Sequence, residues 1–228
     1  MDIIIKNLYK SYEEKDVYKD FSIDFIENKV NTIVGKSGCG KTTLLKIVSG
    51  MEKKNDGEIL GVDLNSISYI FQEDRLLDWL TVEENLEFVL KNDYDKNFLK
   101  KVCSKYLDMV GIVDYRNYYP QKLSGGLRQR VNIARALAKP SKLILMDEPF
   151  KSIDIINKME IMSSFKDIIS KEKRTVLFVT HDIEEAVYFD GFIYVLGQNP
   201  VKIVKQYENN DNISNRILDI KEDIIKNI

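Results

Sequence analysis

Gly35-Lys36-Ser37-Gly38-Cys39-Gly40-Lys41-Thr42 is the stretch that decides the fold. It follows the short apolar run Val30 to Val34 and fits the phosphate-loop pattern G-x-x-x-x-G-K-[ST]. Glycines at these positions let successive backbone N–H groups curl around phosphate oxygens that side chains would obstruct. A helix opening at Lys41 adds its positive dipole end. Lys41 is then expected to reach the β- and γ-phosphates of a nucleotide, and Thr42 to offer its hydroxyl to Mg²⁺. A strand, this loop and a helix in sequence predict an α/β phosphate-loop architecture.

Three more apolar runs extend that reading. Ile67 to Phe71 leads into Gln72, Leu143 to Met146 into Asp147-Glu148, and Thr175 to Thr180 into His181. Continuous apolar runs of this length, alternating with helical stretches, suggest a parallel sheet covered on both faces. Ligands of such sheets bind outside the carboxyl ends of the strands. Gly35, Gln72, Asp147, Glu148 and His181 are therefore expected along one edge. An Asp ending a buried strand can hold a metal hydration shell, and the carboxylate after it can polarise an attacking water.

Composition narrows the class. The chain has 228 residues, 44% apolar and 31% charged, with a formal net charge of −2, so it reads as a folded globular protein without a basic field for nucleic acid. No apolar run approaches the ~18 residues of a membrane-spanning helix. Met1 to Lys6 lacks the pattern of a signal peptide. Two cysteines and one histidine cannot build a disulfide framework or a Cys/His metal cluster. A soluble cytosolic protein is expected. Lysines number 27 and arginines 7, yet Arg128, Arg130 and Arg135 stand within eight residues, which hints at a need for planar, forked donors.

The N-terminal part, Asp2 to Phe25, is expected to form antiparallel strands with Gly57 to Leu60 and with Ser68 to Phe71. From Glu73 to Ala138 the period becomes helical, as in Val82, Leu86, Val89, Leu90 and then Leu99, Val102, Tyr106, Val110. This predicts a helical insertion over about 73–138. After Gly197 the reading is a polar, Asn-rich link and then an amphipathic helix with Ile213, Ile217, Ile220, Ile224 and Ile228 on one face. Residues 1–197 are thus expected to form one domain and 198–228 a C-terminal appendage.

Leu123-Ser124-Gly125-Gly126-Leu127-Arg128-Gln129-Arg130 places an N-cap serine and two glycines before an apolar-periodic helix, a second anion-binding helix terminus. With this motif the chain resembles the ATP-binding cassette (ABC) ATPases, whose signature is L-S-G-G-Q or a variant. The resemblance runs from about Ile3 to Leu196. It implies a P-loop cassette with a mostly parallel central sheet, an N-terminal antiparallel β subdomain and a helical insertion, using ATP and Mg²⁺. The resemblance implies nucleotide contacts for Tyr12, stacked on adenine, and Val17, and for Gly35, Ser37, Gly38, Cys39, Gly40, Lys41, Thr42 and Thr43. Ser124, Gly125 and Gly126 would reach the nucleotide of a second ATPase subunit, expected to be an identical copy. Thr42, Gln72 and Asp147 would serve the metal; Glu148, His181 and Gln72 would serve catalysis.

Two positions depart from the pattern. Leu127 replaces the usual Gln or Met, and Lys151, in Lys151-Ser152-Ile153-Asp154, stands where Ser or Gly is usual. The segment from Phe71 through Gln72-Glu73-Asp74-Arg75-Leu76-Leu77-Asp78-Trp79-Leu80 to Val82 is similar to importer ATPases for nitrate, alkanesulfonates, taurine and thiamine-type pyrimidine precursors. That subgroup implies a peripheral subunit on the cytoplasmic face of the membrane. Transmembrane permease subunits would dock near Gln72 to Leu80, and an extracellular binding protein would act indirectly. The alternatives are the ATPase of a lipid or lipoprotein export system and a soluble ABC ATPase outside transport. Repair and chromosome members of the latter need long coiled-coil insertions, and translation members two cassettes, neither of which fits 228 residues.

Overall fold

The computed structural model describes residues 2–13, 15–197, 200–209, 221, 222 and 225. In chain order the elements are β1 (Ile3–Tyr12), β2 (Lys15–Phe25), β3 (Val30–Gly35), α1 (Lys41–Val48), β4 (Asp56–Leu60), β5 (Ile67–Ile70), α2 (Val82–Leu90) and α3 (Lys96–Met109). There follow α4 (Gly125–Ala138), β6 (Leu143–Asp147), α5 (Ile155–Glu172), β7 (Thr175–Thr180), α6 (Ile183–Tyr188), β8 (Gly191–Gly197) and β9 (Lys202–Asn209). β2, β1 and β4 form an antiparallel sheet; the second sheet runs β5-β6-β7-β3-β8-β9 and is parallel except for β9.

The central strands read as unbroken apolar runs because both of their faces are covered. Alternate residues enter different cores. Ile144, Met146, Val176 and Phe178 join a core shared with α2 to α5, whereas Leu143, Leu145, Leu177 and Val179 join one shared with α1 and the antiparallel sheet. On the helical side, Val82, Leu86 and Leu90 of α2 meet Leu99, Val102 and Tyr106 of α3 and Val131, Ala134 and Ala138 of α4. Each buried Val or Leu among them is worth about 1.5–3 kcal/mol. α2 starts where it does because of a capping box: Thr81 accepts from Glu84 N, and the Glu84 carboxylate accepts from Thr81 N.

Two sequence expectations change. Gly57 to Leu60 lies in β4, antiparallel to β1, but Ser68 to Phe71 does not join that sheet. β5 instead pairs in parallel with β6, Ile70 opposite Met146. Its own alternation explains why: Ile70 enters the helical core while Ile67 and Tyr69 pack against the other, which needs a sheet covered on both sides. The polar link expected after Gly197 is also too early, because Lys202–Asn209 is a strand pairing with β8 from Gly197–Lys202 to Gly191–Asn209. Its lysines and glutamine hid an edge strand whose Ile203 and Tyr207 still reach the cores. The helix expected on Ile213, Ile217, Ile220, Ile224 and Ile228 lies outside the described residues. No helix among the described residues is long and apolar enough to cross a membrane.

Candidate functional site

Strand register builds the site. Val34 pairs with Thr180, Val179 with Asp147 and Met146 with Ile70, so the ends of β3, β7, β6 and β5 fall on one edge. There an open cleft of about 350 Å³ is lined by Tyr12, Val17, Ser37, Gly38, Gly40, Lys41, Thr42, Thr43, Gln72 and Glu148, joined by Lys15 and Lys151.

The loop between β3 and α1 needs its glycines for distinct reasons. Gly40 caps α1 at φ 111°, a left-handed conformation, and a Cβ there would stand 2.8 Å from Val17 Cγ1. At Gly35 a Cβ would stand 2.6 Å from the Leu196 carbonyl oxygen. Tyr18, fully buried beneath the loop, donates its hydroxyl to Gly40 O at 3.0 Å. The ammonium of Lys41 is held inside the loop by Gly35 O at 2.6 Å and Lys36 O at 2.8 Å. Tyr12 is 44% exposed; Lys10 Nζ sits 4.4 Å from its ring centroid, so one face is backed by a cation.

The two carboxylates differ. Asp147 ends β6 and accepts from Thr42 Oγ1 at 3.1 Å, and burial pushes its carboxyl upward while this hydrogen bond opposes the shift. A hydroxyl beside one carboxylate is an all-oxygen set that fits Mg²⁺, which takes one or two protein ligands plus phosphates and waters. No denser cluster of His, Cys, Asp and Glu able to hold a metal occurs among the described residues. Glu148 sits at φ 45° outside regular structure, its N–H donating to Val179 O at 2.9 Å. One of its oxygens faces His181 Nδ1 at 3.1 Å; the other faces Lys151 Nζ at 3.1 Å and Gln72 Nε2 at 3.5 Å. Burial pushes the Glu148 carboxyl up, but the Lys151 and His181 contacts outweigh it and hold it below the usual carboxylate value.

Gln72 and His181 thus meet on Glu148, Asp147 stands beside it against Thr42, and most of the loop residues line the cleft. Cys39 does not: it is buried among apolar side chains, and its N–H is spent on Lys36 O at 3.2 Å. Gly35 serves packing and the Lys41 ammonium rather than the cleft wall. Ser124, Gly125 and Gly126 stand apart from this cleft, at the start of α4. Ser124 Oγ accepts from Leu127 N, and a Cβ on Gly126 would lie 3.0 Å from Ser152 O. None of the three lines the cleft of its own chain.

Several partners were missed because they are distant in sequence. Gln129 and Asn132, buried on α4, donate to Phe71 O, and Gln129 also donates to Pro149 O at 2.8 Å. Arg128 pairs with Asp74, and Arg135 donates to the carbonyls of Asp74 and Arg75. Arg130 reaches Asp154 at 3.4 Å. The arginine cluster visible in the sequence therefore grips the segments after Gln72 and after Glu148. Behind His181, Lys158 bridges Asp182 at 2.9 Å and the buried Glu185 at 3.1 Å, and Thr180 donates to Glu185 at 2.7 Å.

A family model described as "ABC transporter" matches residues 18–151. The aliphatic sulfonates import ATP-binding protein SsuB of Bacillus cereus (strain ATCC 10987 / NRS 248) is 36% identical over 219 residues, covering 92% of this chain and 85% of that protein. SsuB 2 of Pseudomonas syringae pv. tomato (strain ATCC BAA-871 / DC3000) is 34% identical, with 90% and 86% covered. Among solved structures, the dimeric post-hydrolysis state of the ATP-binding cassette MJ0796 bound to ADP and Pi superposes with a TM-score of 0.82 at 28% identity, covering 91% of this chain and 99% of that one.

Proposed function

The chain belongs to the ABC transporter family, and on that premise we propose that it is the ATP-hydrolysing subunit of an importer for small sulfonate-type solutes. The observation that carries the reading is the convergence of Gln72, Lys151 and His181 on Glu148, at the rim of a cleft lined by the phosphate loop.

In this reading Ser37, Gly38, Gly40, Lys41, Thr42 and Thr43 cradle the phosphates, and the exposed face of Tyr12 stacks on adenine. Thr42, Asp147 and Gln72 would hold Mg²⁺, which when bound would neutralise charge on the β- and γ-phosphates. Glu148 orients a water and accepts its proton as the oxygen–phosphorus bond forms and the bond to the ADP oxygen breaks. His181 and Gln72 hold that carboxylate and sense the γ-phosphate. Ser124 and the Gly125-Gly126 backbone close the site on the nucleotide of a second copy, which accounts for their absence from the lining of their own chain's cleft. The segment Gln72 to Leu80 receives the membrane subunits at the cytoplasmic face, with Trp79, 73% exposed, as its apolar anchor. An extracellular binding protein selects the solute. The sulfonate class rests on the relatives' names together with the Gln72–Leu80 segment.

Glu148→Gln tests the reading. It keeps size while removing the proton acceptor, so turnover should fall ~10²–10⁴-fold. Mg²⁺-ATP should then trap a dimer on size-exclusion chromatography. Turnover within twofold of the parent would refute the assignment.

A further inference from the structure

Glu148 is crowded by donors of its own chain. His181 occupies one oxygen at 3.1 Å, while Lys151 and Gln72 approach the other at 3.1 and 3.5 Å. A carboxylate offers about four acceptor positions; these three donors leave about one, so an attacking water must share the carboxylate with them. Lys151 brings an ammonium, and charge-assisted hydrogen bonds are roughly twice as strong as neutral ones. Of these donors, Lys151 competes hardest with the water.

Its placement is built into the turn. Lys151 N donates to Glu148 O at 3.4 Å and Ile153 N to Phe150 O at 3.1 Å, folding residues 148–153 back on themselves. Phe150, only 1% exposed and edge-on to Phe178, anchors that turn in the core. The Lys151 side chain is 52% exposed, so it can leave the carboxylate without vacating a packed site. Two features set the turn against the start of α4: a Cβ on Gly126 would lie 3.0 Å from Ser152 O, and Arg130 reaches Asp154, just past the turn, at 3.4 Å. The turn that carries Lys151 therefore lies against that end of α4.

We propose that Lys151 is a positioning residue that holds the Glu148 carboxylate away from the attacking water, and that it sets the hydrolysis rate rather than nucleotide affinity. The inference rests on Glu148 being the proton acceptor. It makes the chain restrain its own hydrolysis until the turn after Glu148 is displaced.

Steady-state ATPase assays on the purified full chain with Mg²⁺-ATP decide it, using Lys151→Ser, Lys151→Met, Lys151→Arg, Glu148→Gln and the Lys151→Ser/Glu148→Gln double variant. Ser and Met should each raise kcat about two- to fivefold, the factor to which an exposed ion pair's strength converts, with KM for ATP changed less than twofold. Met keeps the aliphatic stem, so agreement between the two separates charge from packing. Arg, which restores the pair, should return kcat to the parent value. In the Glu148→Gln background the Ser substitution should change nothing. An unchanged or lower kcat in both Ser and Met, or a raised KM at constant kcat, would overturn the proposal. So would a gain that persists without the Glu148 carboxylate. Glu148→Gln retaining parental turnover would instead strike the reading beneath it, and the single variants tell the two failures apart.

Discussion

Arg128 Nε donates to Asp74 Oδ2 at 2.7 Å, tying the first turn of α4 to the segment that follows Gln72. Gln129, Asn132 and Arg135 reach the same segment through the carbonyls of Phe71, Asp74 and Arg75. One helix therefore carries Ser124 at its start and grips the neighbourhood of Gln72 along its side. Both partners of the ion pair are partly exposed, which limits its strength. A double-mutant cycle on Arg128→Ala and Asp74→Ala, followed by urea unfolding, should give a coupling of about 0.5–1 kcal/mol. Coupling indistinguishable from zero would make this a surface contact only.

The loop bearing Trp79 is held from beneath by Asn85, which is fully buried. Its Oδ1 accepts from Leu77 N at 2.8 Å, and its Nδ2 donates to the carbonyls of Leu77, Leu80 and Thr81. Asn85→Ala strands these groups and should cost about 1–3 kcal/mol, with faster hydrogen exchange at the Leu77 amide. Trp79→Glu, at a 73% exposed side chain, should change stability by less than about 0.5 kcal/mol yet prevent co-purification with the membrane subunits. Leu76 packs against the helical core, so Leu76→Glu should destabilise the isolated subunit. Equal effects of the Trp79 and Leu76 changes on stability would contradict this division.

The proposed sharing of each site between two copies gives a mixing test. A dimer of one Ser124→Arg chain and one Lys41→Ala chain concentrates both lesions in one site and leaves the other whole. The mixture should hydrolyse ATP faster than either variant alone. Activity no greater than the mean of the two would exclude a site shared between copies.

Acid stability follows from Asp182. Burial pushes its carboxyl upward, but Lys158 and the N–H groups of Glu184 and Glu185 outweigh this and hold it below the usual value. A lowered folded-state value means that the stabilisation is complete above the unfolded Asp value of about 3.9 and is lost as pH falls through the folded one. The difference in urea midpoint between the parent and Asp182→Asn should be flat from about pH 8 to 5 and shrink below about 4. A difference that grows on acidification would reverse the sign.

What the sequence determined by itself was whatever local chemistry dictates. The turn at Gly40 admits only a residue tolerant of φ 111°, Lys41 and Thr42 must follow it directly, and strands buried on both faces must be apolar throughout. Those constraints act within a few residues, so the phosphate loop, the carboxylates after β6 and the histidine after β7 were legible in one dimension. Tertiary structure decided which strand lies beside which. β5 joins β6 rather than the antiparallel sheet because both of its faces find cores, and β9 extends the sheet although its sequence looks like a polar link. It also decided the partners of charged side chains. The sequence shows Lys151 near Glu148 but not that a turn anchored by Phe150 folds its ammonium back to 3.1 Å. Arg128 and Asp74, 54 positions apart, meet only because α4 packs over the end of β5. A long flexible cation has many possible partners along a chain, and only the packed backbone chooses among them.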